Sequence, residues 1–230
     1  MSQEREPGRR SIDVVRQVVR VTLLPVLSGV GIRCGWWQLW LFLPSVAFIL
    51  AANLAVMARF NPVLITQRMK PDRPEERFDW VFFVLAGLLM AALYATAGAD
   101  TLYYHWLRVP WQWSAAGLVG LVAGDIPVMA SLATNPFLER TSRLQRERGQ
   151  HVVTRGPYRF VRHPMYVGII AMLIPLPLVL GSLVATIPAV LLVVVLVVRT
   201  HFEDRMLRER LDGYERFAQS TRYRLVPGVW

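Results

Sequence analysis

Residues 154–168 hold the densest group of reactive side-chain types in this chain. The stretch is TRGPYRFVRHPMYVG, with three arginines, one histidine, two tyrosines and two glycines. An uncharged apolar run, 165–198, overlaps its end and continues for the length of a membrane crossing or more. A polar cluster beside such a run predicts a site that works at the bilayer surface.

Local chemistry leaves two interpretations of this cluster open. Glycine and proline in 155–158 predict a tight turn. His163 followed by Pro164 predicts the start of a helix, whose free amides and partial positive charge attract a carboxylate or phosphate. Alternatively, the cationic side chains only anchor the helix among lipid headgroups.

Two acidic residues, Glu203 and Asp204, follow the apolar run almost at once, after Arg199. A carboxylate pair can bind an ammonium or sulfonium group, while arginines hold an anion. The alternative is a solvated helix start, where the helix dipole favours acidic residues. Because both signs of charge converge on one membrane face, the pattern favours a zwitterionic ligand.

Polar residues inside the apolar segments admit structural roles as well. Asp125 either faces a substrate tunnel or bonds to a neighbouring helix, and the sequence favours neither. Asn53 is predicted to form a hydrogen bond between helices. His105 is expected on the opposite membrane face, at the interface.

The composition predicts an all-α, polytopic membrane protein with five or six transmembrane helices. The chain is 54% hydrophobic with a mean hydropathy of +0.36, and spans within a bilayer must satisfy their own backbone hydrogen bonds. Three predicted spans each open with tryptophan, 36–58, 80–98 and 113–134. The run 165–198 predicts two tight crossings joined at Gly181-Ser182.

The distribution of basic residues predicts the topology. If 21–32 crosses the membrane, 24 of the 26 Lys and Arg residues fall on one face, which the positive-inside rule assigns to the cytoplasm. This favours six crossings with both termini cytoplasmic over five with a re-entrant first segment. The net charge of +10 then needs no nucleic-acid partner.

Apolar residues at helical spacing predict an amphipathic helix over 199–220.

Ordered motifs carry a resemblance to a known family. The first motif is the sequence Gly-Pro-Tyr-Arg-Phe-Val-Arg-His-Pro-Met-Tyr-Val-Gly at 156–168. Two apolar crossings follow it, and after them come Glu-Asp-Arg-Met-Leu at 203–207, Tyr214 and Arg-Leu-Val-Pro at 224–227. This order resembles the isoprenylcysteine carboxyl methyltransferase family and is similar to the phospholipid N-methyltransferases. The resemblance divides the chain into N-terminal transmembrane helices, 1–134, and a methyltransferase region, 135–230. The acidic pair departs from the family's two glutamates.

The resemblance implies an enzyme that uses S-adenosylmethionine at the cytoplasmic face of a membrane, here expected to be a bacterial inner membrane. The expected acceptor is lipophilic or lipidated and enters from the bilayer, with carboxyl O-methylation of an isoprenylcysteine-like substrate as first choice. Methylation of a phospholipid or other lipid amine is the alternative. A sterol-type reductase is disfavoured, because Met165 precedes Tyr166 and Ile169 follows Gly168. A non-enzymatic transporter or scaffold ranks third.

The family's pocket, carried over by motif position, implies the site residues. Arg199 matches the position that holds the substrate's anionic group, and no metal ligand is implied. The implied cofactor-binding residues are Gln150, His151, Val152, Val153, Tyr158, His163, Pro164, Met165, Tyr166 and Glu203.

Overall fold

The described part of the chain folds into helices that are joined by loops. The structure is a computed structural model and describes residues 35–69, 76–107 and 109–230. Within these ranges the regular elements are helical, and four helices are long and apolar enough to cross a membrane. The prediction of a polytopic helical membrane protein is confirmed. Segment 21–32 lies outside the described residues, so the choice between five and six crossings stays a prediction.

The helices follow the tryptophan-led spans closely. In chain order the helices are α1 (Leu39–Phe60), α2 (Pro62–Met69), α3 (Arg77–Ala99), α4 (Trp111–Gly124), α5 (Ile126–Thr134), α6 (Pro164–Leu173), α7 (Leu176–Leu180), α8 (Thr186–Arg210) and α9 (Tyr214–Ser220). Spans 36–58, 80–98 and 113–134 correspond to α1, α3 and the pair α4–α5. A π-helical turn, Asp100–Tyr104, extends α3.

The third span is interrupted at Asp125, between α4 and α5. Pro127 lies in the first turn of α5, where its missing N–H leaves no helical bond unmade. The Nδ2 of Asn53 on α1 lies 2.9 Å from each carboxylate oxygen of Asp125. Asn53 therefore forms the predicted bond between helices, and Asp125 takes the structural alternative, since it does not line the cavity described below.

The apolar run 165–198 folds back on itself as predicted. Helices α6 and α7 lead to Gly181, whose φ of +82° makes the turn, and α8 returns. The prediction of a separate amphipathic helix over 199–220 is wrong, because α8 continues to Arg210. Strong helix formers such as Glu203 and Met206 allow this continuation. The chain then turns at Gly213, with φ +81°, into α9.

A close contact between backbones fixes α6 against α4 and α5. A Cβ placed on Gly168 would lie 2.9 Å from the carbonyl oxygen of Gly124 and 2.6 Å from Cγ2 of Val128. Glycine is required here because no larger residue permits this approach. The contact sets the position of the start of α6, four residues earlier.

One end of the bundle, here called the site end, gathers the starts of α3 and α6, the last turns of α8 and the loop 135–163. Arg199 on α8 forms an ion pair with Asp79 on α3. Glu76, just before α3, forms another with Arg210. Within the described residues, the basic segments predicted to share one membrane face therefore lie together.

Candidate active site

A cavity of about 810 Å³, including its open part, lies at the site end. The loop 135–153, the start of α6, the last turns of α8 and the helix α9 form its walls. All eleven residues implied by the family resemblance line it: Gln150, His151, Val152, Val153, Tyr158, His163, Pro164, Met165, Tyr166, Arg199 and Glu203. Their placement together agrees with a shared site, while their individual roles stay predictions.

The predicted tight turn after Arg155 places Tyr158 in the cavity wall. Gly156 has a φ of +62°, and residues Gly156–Arg159 form a single 3-10 turn. The hydroxyl of Tyr158 accepts a hydrogen bond of 3.0 Å from Asn135. Burial raises the pKa of Tyr158 far above its ordinary value, so the phenol stays neutral at any physiological pH.

The start of α6 is held by the chain that follows α9. The amides of Arg162 and His163 donate to the carbonyl oxygens of Tyr223 and Arg224, at 2.9 and 3.0 Å. Pro164 then begins the helix, as predicted. The ring of His163 stacks on Tyr166 at 5.7 Å between centroids. The motif therefore forms a rigid wall rather than a mobile loop.

Asp204 faces away from the cavity and joins the elements behind it. Its carboxylate, fully buried, accepts two hydrogen bonds from the guanidinium of Arg162, at 2.7 and 3.1 Å. It also accepts from Arg224 at 2.9 Å and pairs with Arg208 at 3.2 Å. The hydroxyl of Tyr214 donates to it at 3.0 Å, and burial together with this carboxylate raises the pKa of Tyr214.

The interpretation of the two acidic residues as one cation-binding pair is therefore wrong. Successive helical residues point about 100° apart, so only one of the two can face the cavity. Arg162, one of the three arginines of the stretch 154–168, is already occupied by Asp204 and by the carbonyl oxygens of Thr221 and Arg222. Arg155 and Arg159 are exposed and outside the cavity, which fits their alternative role as headgroup anchors.

Glu203 faces the cavity. Its Oε2 accepts hydrogen bonds from the hydroxyl of Tyr166 and from Oγ of Ser142, the latter at 3.0 Å. Its Oε1 makes no hydrogen bond to the described residues. The side chain is thus fixed by one oxygen and presents the other to a ligand.

Arg199 lies one helical turn before Glu203 and is largely buried. Its Nε donates to Oδ1 of Asp79 at 2.9 Å, and its Nη2 donates to the carbonyl oxygen of Arg140 at 2.9 Å. The guanidinium carbon lies 4.3 Å from the ring centre of Phe82. Nη1 remains without a hydrogen bond to the described residues, and it is the nitrogen available to an anion.

Sequence reasoning missed several residues that complete this site. Asp79 and Ser142 hold Arg199 and Glu203, and a single acidic residue in the first turn of a predicted span carries no signal of such a role. The apolar side of the cavity comes from Met206, Leu207, Leu211 and Phe217. These residues carried the helical spacing that predicted an amphipathic segment, and their burial explains that spacing.

The site contains the chemistry for a ligand that carries both charges. Across the described ranges, no three His, Cys, Asp or Glu side chains gather closely enough to hold a metal ion. The cavity instead offers one carboxylate oxygen, one guanidinium nitrogen and an apolar wall. This combination suits a flat, zwitterionic molecule beside an anionic one.

Residues 124–209 match the model of the isoprenylcysteine carboxyl methyltransferase (ICMT) family. The predicted resemblance is confirmed over this range, which contains all eleven implied site residues and indicates a membrane methyltransferase. Asp79 lies outside it. No curated protein matches the chain.

Proposed function

We propose that this protein transfers a methyl group from S-adenosylmethionine to the carboxylate of an isoprenylcysteine-like acceptor within the membrane. The family match to residues 124–209 is the premise. The single observation that carries the proposal is that Glu203 and Arg199 line the same cavity and each keeps one polar atom without a hydrogen bond to the described residues, Oε1 and Nη1 respectively. The carboxylate oxygen suits a cation, and the guanidinium nitrogen suits an anion.

The residues present fit the cofactor. An ammonium or sulfonium group would lie against Glu203, whose other oxygen is already fixed by Tyr166 and Ser142. The adenine base would find the apolar side formed by Leu207 and Phe217. When bound, the cofactor supplies an electrophilic methyl group on sulfur.

The protein's contribution is to bind, orient and exclude water. A carboxylate acceptor is ionised at neutral pH and needs no general base. Arg199 would hold it through Nη1, so that one carboxylate oxygen points at the methyl carbon. Well-aligned intramolecular reactions gain up to about 7–11 kcal/mol from positioning alone.

The proposed acceptor is lipophilic and enters from the bilayer. The cavity lies where α6 and the charged end of α8, which follows the apolar stretch 186–198, reach the site end. An acceptor whose tail stays among lipid chains needs only its polar end in the cavity. By the positive-inside rule, the site end with its basic segments is proposed to face the cytoplasm, and both chain termini are proposed to lie on that side of the membrane.

A lipid amine as acceptor receives less support from the site. A neutral nitrogen requires a group that accepts a proton. His201 does not line the cavity, and Nε2 of His163 faces Asp204 and the hydroxyl of Tyr214 at 3.5 Å. His151 does line the cavity and is the histidine that an amine acceptor would have to use. Carboxyl methylation, which needs no such base, is the function proposed.

The test uses purified protein in detergent with methyl-labelled S-adenosylmethionine. Parallel reactions contain S-farnesyl-N-acetylcysteine or phosphatidylethanolamine, with heat-inactivated protein as control. We expect label in the farnesylated product that is released as methanol by base, because methyl esters hydrolyse and N-methyl groups do not. Base-stable label in the phospholipid would support the amine alternative. No binding of S-adenosylhomocysteine by calorimetry would contradict the proposal as a whole.

A further inference from the structure

Asp79 joins the N-terminal half of the chain to the cavity. It lies in the first turn of α3, fully buried, and 120 residues before its partner Arg199. Its Oδ1 accepts from Nε of Arg199 at 2.9 Å. The Oγ of Ser142 lies 3.1 Å from the same oxygen and 3.0 Å from Oε2 of Glu203, so its single proton is shared between the two carboxylates. Its Oδ2 accepts the backbone N–H of Ser142. Both oxygens are thus occupied within the protein.

These contacts determine which part of Arg199 remains for a ligand. Asp79 takes Nε, and the carbonyl oxygen of Arg140 takes Nη2. The planar guanidinium cannot rotate without breaking both bonds. Nη1 is therefore the guanidinium nitrogen that remains for a ligand in the cavity that Arg199 and Glu203 line.

The charge of Asp79 has a second consequence for the reaction. In carboxyl methylation an acceptor oxygen forms a bond to the methyl carbon while the carbon–sulfur bond breaks, and that electron pair stays on sulfur. The acceptor's negative charge and the sulfonium's positive charge both disappear. A cation that binds the ionised acceptor tightly therefore stabilises the ground state more than the transition state.

We propose that Asp79 is a positioning residue that aims Nη1 of Arg199 at the acceptor carboxylate and weakens the charge with which Arg199 binds it. The inference rests on the proposed function. It adds a residue outside the matched range, 124–209, and predicts that neutralising Asp79 improves acceptor binding while impairing turnover.

The test compares Asp79→Asn with a matched control, Asp100→Asn. Asp100 is also a buried aspartate of the same span, bonded to Ser182 and to the amide of Trp106. It follows Asp79 by 21 residues, or roughly 32 Å along a helix, and lies at the opposite end of the bundle. A merely structural role for Asp79 would make the two variants alike.

Acceptor affinity is measured by calorimetry with S-farnesyl-N-acetylcysteine in the presence of S-adenosylhomocysteine, and kcat is measured with the labelled cofactor. For Asp79→Asn we expect Kd to tighten at least about threefold, because one negative charge near Arg199 is removed. We expect kcat to fall about tenfold. Asp100→Asn should lower the melting temperature and leave Kd and kcat within about twofold of wild type.

A weaker or unchanged acceptor Kd in Asp79→Asn would overturn the inference. If that variant does not fold, Asp79→Glu retains the charge but displaces it, so it should lower kcat without tightening Kd, and a tightened Kd would overturn the inference. If either outcome occurs while the wild-type protein methylates the acceptor, the inference about Asp79 fails and the proposed function stands. Wild-type protein that binds no acceptor would overturn both.

Discussion

Glu203 and Asp204 are neighbours in sequence, and the structure predicts opposite responses to matched substitutions. Glu203→Gln and Asp204→Asn each remove one charge and keep the side chain's size. Glu203 contacts the cavity and two hydroxyl groups. Asp204 is buried among the guanidinium groups of Arg162, Arg208 and Arg224. Loss of the first charge should affect a ligand, and loss of the second should affect the fold.

The magnitudes follow from these contacts. Removing one partner of a buried ion pair costs about 3–5 kcal/mol, and for a chain of this size each kcal/mol lowers Tm by about 2–4 °C. Asp204→Asn should therefore lower Tm by about 6–20 °C. Glu203→Gln loses a hydrogen bond to a charged ligand group, about 1.5–3 kcal/mol, or about tenfold to a hundredfold in cofactor Kd.

The assay is thermal unfolding in detergent together with calorimetry using S-adenosylhomocysteine. For Glu203→Gln we expect a Tm within about 4 °C of wild type, because its two hydroxyl partners can still donate to the amide oxygen. Equal losses of Tm in both variants, with the cofactor Kd unchanged in Glu203→Gln, would refute the division of roles between the two acids.

Three further outcomes are expected. Gly168→Ala introduces a methyl group 2.6 Å from the neighbouring helix and should lower the free energy of unfolding by about 1–3 kcal/mol, which is measured as a lower Tm. The control Gly87→Ala adds a methyl group with nothing within 4 Å and should not lower the Tm. Arg199→Lys should reduce kcat while sparing the affinity for S-adenosylhomocysteine, because an ammonium cannot donate to Asp79, a carbonyl oxygen and an acceptor in one plane; an unchanged kcat would remove Arg199 from acceptor binding. Cysteines at Arg146 and Arg222 should resist an impermeant reagent applied to sealed cells, and labelling of either would contradict a cytoplasmic site end.

The sequence predicted those features that local pattern determines. The tryptophan-led spans, the turn at Gly181 and the helix start at Pro164 depend on residues close together in the chain, and each was found. The eleven implied site residues depend on family motifs, which kept their order and spacing. The end of α8 was misplaced because the apolar run stops at Val198, whereas the helix continues to Arg210 and ends where the backbone becomes extended at Leu211.

The partners of the site residues could not be predicted, for two physical reasons. Asp79 meets Arg199 across 120 residues, and nothing in either neighbourhood specifies which distant charge will approach. The different orientations of Glu203 and Asp204 were predictable, because a helical periodicity of 3.6 residues puts Arg199 and Glu203 on one face and Asp204 on another. That argument required knowing that α8 continues unbroken through both acids.

The bonds from the amides of Arg162 and His163 to the chain after α9 bear on the order in which the protein matures. Arg162 and His163, just before the helical hairpin, precede their backbone partners Tyr223 and Arg224 by 61 residues in the chain. The start of α6 therefore lacks these partners until residues 221–224 have folded against it, so completion of the cavity wall depends on a segment that belongs to none of the membrane spans.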